Sequence, residues 1–209
     1  MKNIYIFGSV VRGEVDQYSD IDLLLITDEF TDNINANKYS IYTPERIKEL
    51  YIEGNPFAWH LYYESKIVYS SGQDFLIGLG KPAKYNNCKS DLIKFKKLFD
   101  DSIISIQSND FSLIFDFAMI FLAIRNFATC YTLSFYTNPI FSRKAFERLY
   151  DYPLKLDERV KELLMMSRIS STRGINYDIK EEYLSLFNME VQKIESWFNE
   201  ILENYESRV

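Results

Sequence analysis

Two aspartates separated by a single residue are the part of the sequence best suited to chemistry. Asp20 and Asp22 lie at the start of an apolar run, Asp20–Thr27, whose leucine and β-branched content predicts a strand. Alternate side chains of a strand share a face, so we expect the two carboxylates to lie side by side, roughly 7 Å apart at the backbone. Adjacent anions repel each other unless a cation lies between them, and Mg²⁺ takes one or two carboxylates together with substrate phosphates. The pair therefore predicts a Mg²⁺ site, and two ions there could align an in-line transfer.

A glycine turn precedes this pair. The short apolar run Ile4–Phe7 predicts a strand that ends at Gly8 and Ser9, and the letters VVRG after it predict a short helix. Gly8 permits a tight turn and close approach of the backbone to a ligand. Ser9 offers a hydroxyl and an amide at a helix start, where exposed N–H groups favour phosphate. A plain turn and two solvated acids are the alternative, but the two features together favour a nucleotide and metal site.

The residues GSVVRGEVDQYSDIDLLLI resemble the signature of the DNA polymerase β-like nucleotidyltransferase superfamily. The string is similar to that of small bacterial nucleotidyltransferases, such as the aminoglycoside enzymes, in which an α/β domain precedes a helical bundle. The resemblance implies that Gly8 and Ser9 hold a nucleoside triphosphate and that Arg12 lies near it. It also implies that Asp20 and Asp22 bind Mg²⁺. The reaction it implies moves a nucleoside monophosphate to an acceptor hydroxyl on a small molecule, a protein or an RNA.

A third carboxylate, which such enzymes carry on a later strand, is missing from the matching position. That carboxylate binds metal and deprotonates the acceptor hydroxyl, and the matching residue here is Ser40. One explanation is that another acid serves as the base, the candidates being Glu64, Glu147, Asp110 and Asp116. The other is that the protein binds nucleotide and metal without transferring, as an antitoxin-like partner or another binding or regulatory subunit.

The elements that would position these residues begin with an α/β part. Four short apolar runs predict strands, at Ile4–Phe7, Asp20–Thr27, Tyr39–Tyr42 and Lys66–Tyr69. Between the last two, TPERIKEL has the start signature of a helix, with Thr43 as cap and Pro44 at the first helical position. The segment FAWHLYYES after it predicts a second short helix that leads into the last strand.

Beyond residue 88 the apolar residues recur at helical spacing, as in Leu92, Phe95 and Phe99. This pattern predicts a bundle of four or five helices. We therefore predict an α+β protein, with a mixed sheet and helices of the nucleotidyltransferase fold at 1–80 and an all-α bundle at 88–209. The Gly-rich stretch SSGQDFLIGLGKP would join the two parts.

The composition limits the kinds of molecule that the protein is expected to bind. The formal net charge is −6, which makes a long nucleic acid an unlikely partner because phosphate binding needs basic surface. The most apolar segment, Phe111–Ile124, contains Asp116 and is too short to span a membrane, so we expect it to be a core helix. The first residues are too short in their apolar part for a signal peptide. We expect a cytoplasmic protein with no membrane partner, which could form a homodimer or bind another protein.

Overall fold

The computed structural model describes residues 1–29, 38–108 and 111–208. The chain divides into two compact units, Met1–Asn86 and Asn87–Val209. The first unit holds a sheet with helices, and the described part of the second holds helices alone. The predicted α+β class is therefore confirmed.

The described residues of the first unit form one four-stranded mixed sheet with short helices between the strands. The elements are β1 (Lys2–Phe7), α1 (Ser9–Arg12), β2 (Asp22–Thr27), β3 (Ser40–Tyr42), α2 (Pro44–Ile52), α3 (Pro56–Glu64), β4 (Ser65–Ser70) and α4 (Phe75–Leu79). The strand order is β3-β2-β1-β4. Strand β1 is antiparallel to both of its neighbours, whereas β2 and β3 run parallel.

The register of the sheet follows from the burial of alternate side chains. Tyr5 and Phe7 of β1 are buried, and they pack with Leu24 and Ile26 of β2 in one core that also includes Ile47 of α2. Cross-strand partners share a face, and a slip of one residue would turn this apolar row to the other face. The same register pairs the last residue of β1 with the first residue of β2.

Helix α2 begins as the sequence predicts, and α3 begins at a similar cap. Thr43 Oγ1 accepts a hydrogen bond from the amide of Arg46 at 3.2 Å, and Pro44 takes the first helical position of α2. Asn55 caps α3 in the same way as Thr43 caps α2. Its Oδ1 accepts a hydrogen bond from the amide of Phe57 at 2.9 Å. These caps fix where α3 starts, and α3 leads directly into β4.

The Gly-rich stretch assigned to the connection is part of the first unit. It contains α4, which begins after Asp74, whose carboxylate accepts from the amide of Ile77 at 3.2 Å. Tyr5 Oη donates to Asp74 Oδ1 at 2.7 Å and accepts from the amide of Leu76 at 3.1 Å. Leu76 is buried in the core of this unit. The stretch therefore packs against β1, which its glycine content alone does not indicate.

The second unit is built from four long helices in its described residues. They are α5 (Cys88–Ser108), α6 (Leu113–Phe135), α7 (Glu158–Arg173) and α8 (Glu181–Arg208), with a short 3-10 turn at Ala145–Arg148. Helix α6 packs against α5 and α7. Within the described ranges α6 alone is long and apolar enough to cross a membrane, yet 61% of its most apolar window is buried in the protein. It is the interior helix of the bundle.

Candidate nucleotide and metal site

The glycine turn lies between β1 and α1, as the sequence predicts. Gly8 has φ 76° and ψ −140°, and α1 begins at the next residue, Ser9. The amides of Val11 and Arg12 donate to the carbonyl oxygen of Gly8 at 3.1 and 3.3 Å. The amides of Ser9 and Val10 precede these first bonds of the helix, so they are the N–H groups that a helix start leaves without an intrahelical partner.

Residue 8 has two reasons to be glycine. Its positive φ is a conformation that side-chain-bearing residues rarely adopt. A Cβ there would also lie 2.7 Å from Oδ2 of Asp22, which is closer than van der Waals contact allows. The absence of a side chain therefore lets the carboxylate of Asp22 lie against the backbone of the turn.

Asp22 is the first residue of β2 and pairs with Phe7, the last residue of β1. Its side chain is exposed at the end of the row that buries Tyr5 and Leu24. The sheet thus positions Asp22 beside Gly8 through a register that the core fixes.

Asp20 lies outside the strand, and this corrects the prediction that the strand begins there. Strand β2 starts at Asp22, so the alternation of strand side chains places Asp22 but not Asp20. A hydrogen-bonded turn ends just before Asp20. In it Asp16 Oδ1 accepts from the amide of Tyr18 at 2.8 Å and from the hydroxyl of Ser19 at 3.0 Å. Both acids of the predicted metal pair are exposed, one on the strand and one at the end of this turn.

Sequence reasoning missed the turn from Asp16 to Ser19, although a signal for it exists. Asp at the first position of a turn can hydrogen-bond the backbone two residues on, and Ser is common in such turns. Asp16 also receives the amide of Ser19 on its carbonyl oxygen at 3.0 Å, and its own amide donates to Ser19 Oγ at 2.9 Å. The sequence DQYS is therefore typical of a turn, and this turn ends immediately before Asp20.

Arg12 is held by two carboxylates next to the glycine turn. Its Nε donates to Glu14 Oε2 at 2.9 Å, and its Nη1 donates to Glu64 Oε2. Nε2 of His60 lies 2.9 Å from the same oxygen of Glu64. The predicted triphosphate neighbour is thus oriented by acids from the loop after α1 and from the end of α3.

The position expected to carry a third acid is on β3. Ser40 pairs with Leu24, two residues beyond Asp22 on the neighbouring parallel strand. Ser40 therefore lies on the strand next to β2, and it carries a hydroxyl rather than a carboxylate. In the part of the chain that the structure describes, no group of three or more His, Cys, Asp or Glu side chains could hold a metal ion.

The other candidate bases have structural partners of their own. Asp116 is buried in the bundle and accepts from Ser105 Oγ at 3.0 Å and from Ser112 Oγ at 2.6 Å. Glu147 lies in the 3-10 turn with Lys161 Nζ at 3.6 Å, and Glu64 is held by Arg12. Asp110 falls outside the described residues.

The carboxylate oxygens of Asp20 and Asp22 are of the ligand type that Mg²⁺ binds. Mg²⁺ prefers oxygen ligands and usually keeps several waters, binding through one or two carboxylates and the phosphates of its substrate. Two exposed carboxylates could supply the protein's share of those ligands. The number of protein ligands therefore suits an ion that arrives with a nucleotide.

The comparison with known families bears on the first unit, which carries the glycine turn and both acids. Residues 1–68 match the family model described as nucleotidyltransferase domain. The match runs from β1 into β4 and includes Gly8, Ser9, Arg12, Asp20 and Asp22. The resemblance to the polymerase β-like superfamily is thereby confirmed for this part of the chain. No curated protein and no solved structure matched the chain.

Proposed function

We propose that the protein is a Mg²⁺-dependent nucleotidyltransferase that moves a nucleoside monophosphate from a nucleoside triphosphate to an acceptor hydroxyl. The observation that carries this proposal is the Asp22 carboxylate against Gly8, at the turn that opens α1. The match of residues 1–68 to the nucleotidyltransferase domain supports it. The same turn offers backbone N–H groups for phosphate within reach of an acid that can hold a metal ion.

Each residue has a task in this reaction. The amides at the start of α1 and the hydroxyl of Ser9 bind phosphate oxygens, and the guanidinium of Arg12 adds positive charge beside them. Asp20 and Asp22 hold Mg²⁺, which when bound neutralises charge on the phosphates and on the leaving pyrophosphate. The acceptor hydroxyl gives its proton to water or to another acid of the protein, and its oxygen forms a bond to the α-phosphorus. The bond from that phosphorus to the bridging oxygen breaks, and pyrophosphate leaves. Catalysis of this kind is mainly positioning and charge stabilisation.

The acceptor is a small hydroxylated molecule, a protein side chain or an RNA end. The net charge of −6 disfavours a long polynucleotide. A protein acceptor would also be a binding partner, and a homodimer is compatible with the same chemistry. A nucleotidyltransferase domain at residues 1–68 fits a protein that works in the cytoplasm.

A second function is favoured by the residue on β3. Ser40 stands where a catalytic carboxylate is expected, and Glu64 is held by Arg12. A protein with this site would bind nucleotide and metal but lack the base that activates the acceptor. It would act as a binding or regulatory subunit, for example as an antitoxin-like partner.

Transfer of label separates the two functions. The protein is incubated with each α-labelled nucleoside triphosphate and Mg²⁺, in the presence of small hydroxylated molecules, proteins or RNA. The proposal predicts label on one acceptor class and release of pyrophosphate, both lost in Asp20→Ala plus Asp22→Ala. Transfer that survives in this double variant would contradict the metal pair. Triphosphate binding without pyrophosphate release with any acceptor would favour the binding protein.

A further inference from the structure

Glu64 contacts the glycine motif through both its backbone and its side chain. It is the last residue of α3, and Ser65 after it pairs with Phe7 at the end of β1. The carbonyl oxygen of Glu64 accepts from the amide of Gly8 at 3.3 Å. Its carboxylate accepts from the guanidinium of Arg12. One residue therefore holds both the turn and the arginine that follows it.

The side chains of this cluster are largely removed from water. Arg12, Glu64 and His60 expose 16%, 13% and 14% of their side chains. In such surroundings an arginine and a carboxylate stabilise each other, and removing one partner leaves an uncompensated charge. Glu14, which is 29% exposed, holds the Nε side of the same guanidinium. The position of Arg12 is consequently fixed from two sides.

His60 links the cluster to the end of β1. Its ring packs edge-on against Phe7, with the centroids 5.6 Å apart, and its Nε2 lies 2.9 Å from Glu64 Oε2. Phe57, one turn earlier on α3, packs edge-on against the same ring of Phe7 at 5.8 Å. The Glu64 carboxylate therefore lies between the guanidinium of Arg12 and a ring that packs on the residue before the glycine turn.

We infer that Glu64 is a positioning residue for the triphosphate, which sets the guanidinium of Arg12 relative to the amides of the glycine turn. This inference rests on the proposed function and deepens it. It also assigns Glu64 a role other than the base that Ser40 does not provide. A general base must be free to take the proton of the acceptor hydroxyl, whereas Oε2 of Glu64 already accepts from Arg12 and lies beside His60.

The substitution Glu64→Gln tests the inference, since glutamine keeps the size and an acceptor oxygen but removes the charge. The measurements are the Kd of the Mg²⁺-triphosphate by calorimetry and, in the transfer assay, KM and kcat. A positioning role predicts that Kd and KM rise by about 10- to 100-fold, the size expected for losing a hydrogen bond between charged groups, with a smaller fall in kcat. A role as base predicts a collapse of kcat at unchanged Kd. A role in folding alone predicts a lower Tm at unchanged Kd.

The matched control is Glu53→Gln at the end of α2. Glu53 also pairs with an arginine, Arg46, at 3.2 Å, but it is 48% exposed and lies outside the motif. The control is expected to leave Kd, KM and kcat unchanged.

The outcomes separate this inference from the proposed function. Wild-type protein that binds triphosphate while Glu64→Gln binds it equally well would overturn the inference alone. Wild-type protein that binds no triphosphate would overturn both. If Glu64→Gln does not fold, His60→Gln decides, because it keeps Arg12 and Glu64 but loosens the carboxylate. A rise of a few-fold in Kd is then expected, and an unchanged Kd would overturn the inference.

Discussion

The carboxylate of Asp22 takes the space that a side chain on Gly8 would occupy. A Cβ on residue 8 would lie 2.7 Å from Oδ2 of Asp22, and the two residues come from the ends of adjacent antiparallel strands. This contact joins the turn that we propose binds phosphate to an acid that we propose binds Mg²⁺. It depends on the sheet register, which the buried row of Tyr5 and Leu24 fixes.

Gly8→Ala is expected to weaken binding of the Mg²⁺-triphosphate at least tenfold, because the new methyl group must displace the Asp22 carboxylate. The backbone conformation of residue 8, which side-chain-bearing residues rarely adopt, should also lower the unfolding free energy by about 1–3 kcal/mol. Calorimetry measures the first effect and urea unfolding the second.

Gly80→Ala is the matched control for that substitution. Gly80 has nearly the same backbone conformation, φ 70° and ψ −143°. A Cβ added there would have no heavy atom of a described residue within 4 Å, apart from those of its two chain neighbours. It should show the loss of stability without the loss of affinity. Equal affinities for Gly8→Ala and wild type would contradict the account of this contact.

Asp116→Asn is expected to destabilise the bundle while leaving nucleotidyl transfer intact. Both serine hydroxyls donate to the same buried oxygen, Oδ2. Asparagine can keep an oxygen there, but a neutral oxygen accepts more weakly than a carboxylate, and the new NH2 group needs partners of its own. The expected loss is about 1–3 kcal/mol of unfolding free energy, measured by urea denaturation. Loss of transfer with an unchanged unfolding curve would instead make Asp116 the missing base.

Tyr51→Phe is expected to change how stability responds to alkaline pH. Tyr51 is 5% exposed, and burial, with a smaller effect of the Asp74 charge, raises its pKa to about 12. The unfolded chain releases the phenolic proton near pH 10 while the folded chain retains it. The contribution of this group to stability is therefore complete below pH 10 and is lost as pH rises from 10 to about 12. In Tyr51→Phe the unfolding free energy should fall less steeply with pH over this window, because unfolding then releases one proton fewer.

Tyr51→Phe is also expected to change the unfolding free energy at neutral pH. Among the described residues the buried Oη of Tyr51 has no hydrogen-bond partner. Its removal should raise stability by about 1 kcal/mol, since an unsatisfied buried hydroxyl is unfavourable. Urea unfolding from pH 7 to pH 11 measures both effects, with the exposed Tyr150 changed to Phe as control. An unchanged pH slope in Tyr51→Phe would contradict this account.

The local parts of the fold could be predicted because each has a local cause. Helix α2 starts because the Thr43 hydroxyl caps it and Pro44 has a fixed φ. Both causes can be predicted from the short sequence TPER. The helical spacing of Leu92 and Phe99 predicts α5 for the same reason, since both are buried on one face. Glycine followed by serine after an apolar run likewise predicts the turn at Gly8.

The parts that could not be predicted depend on distant residues. Arg12 and Glu64 are 52 positions apart, and no periodicity connects an arginine after a glycine turn with a glutamate at the end of α3. The apolar pattern alone predicts that β2 starts at Asp20, whereas the strand starts at Asp22. The competing turn from Asp16 to Ser19 uses side-chain hydrogen bonds that a hydropathy pattern does not register.

Calorimetric titration of the protein with a nucleoside triphosphate, in the presence and absence of Mg²⁺, tests the central claim most directly. Both proposed functions require that Gly8, Asp20 and Asp22 form one site for nucleotide and metal. We predict binding that depends on Mg²⁺ in the wild type and is lost in Asp20→Ala plus Asp22→Ala. Binding that is equal in wild type and double variant, or no binding of any triphosphate by the wild type, would contradict it.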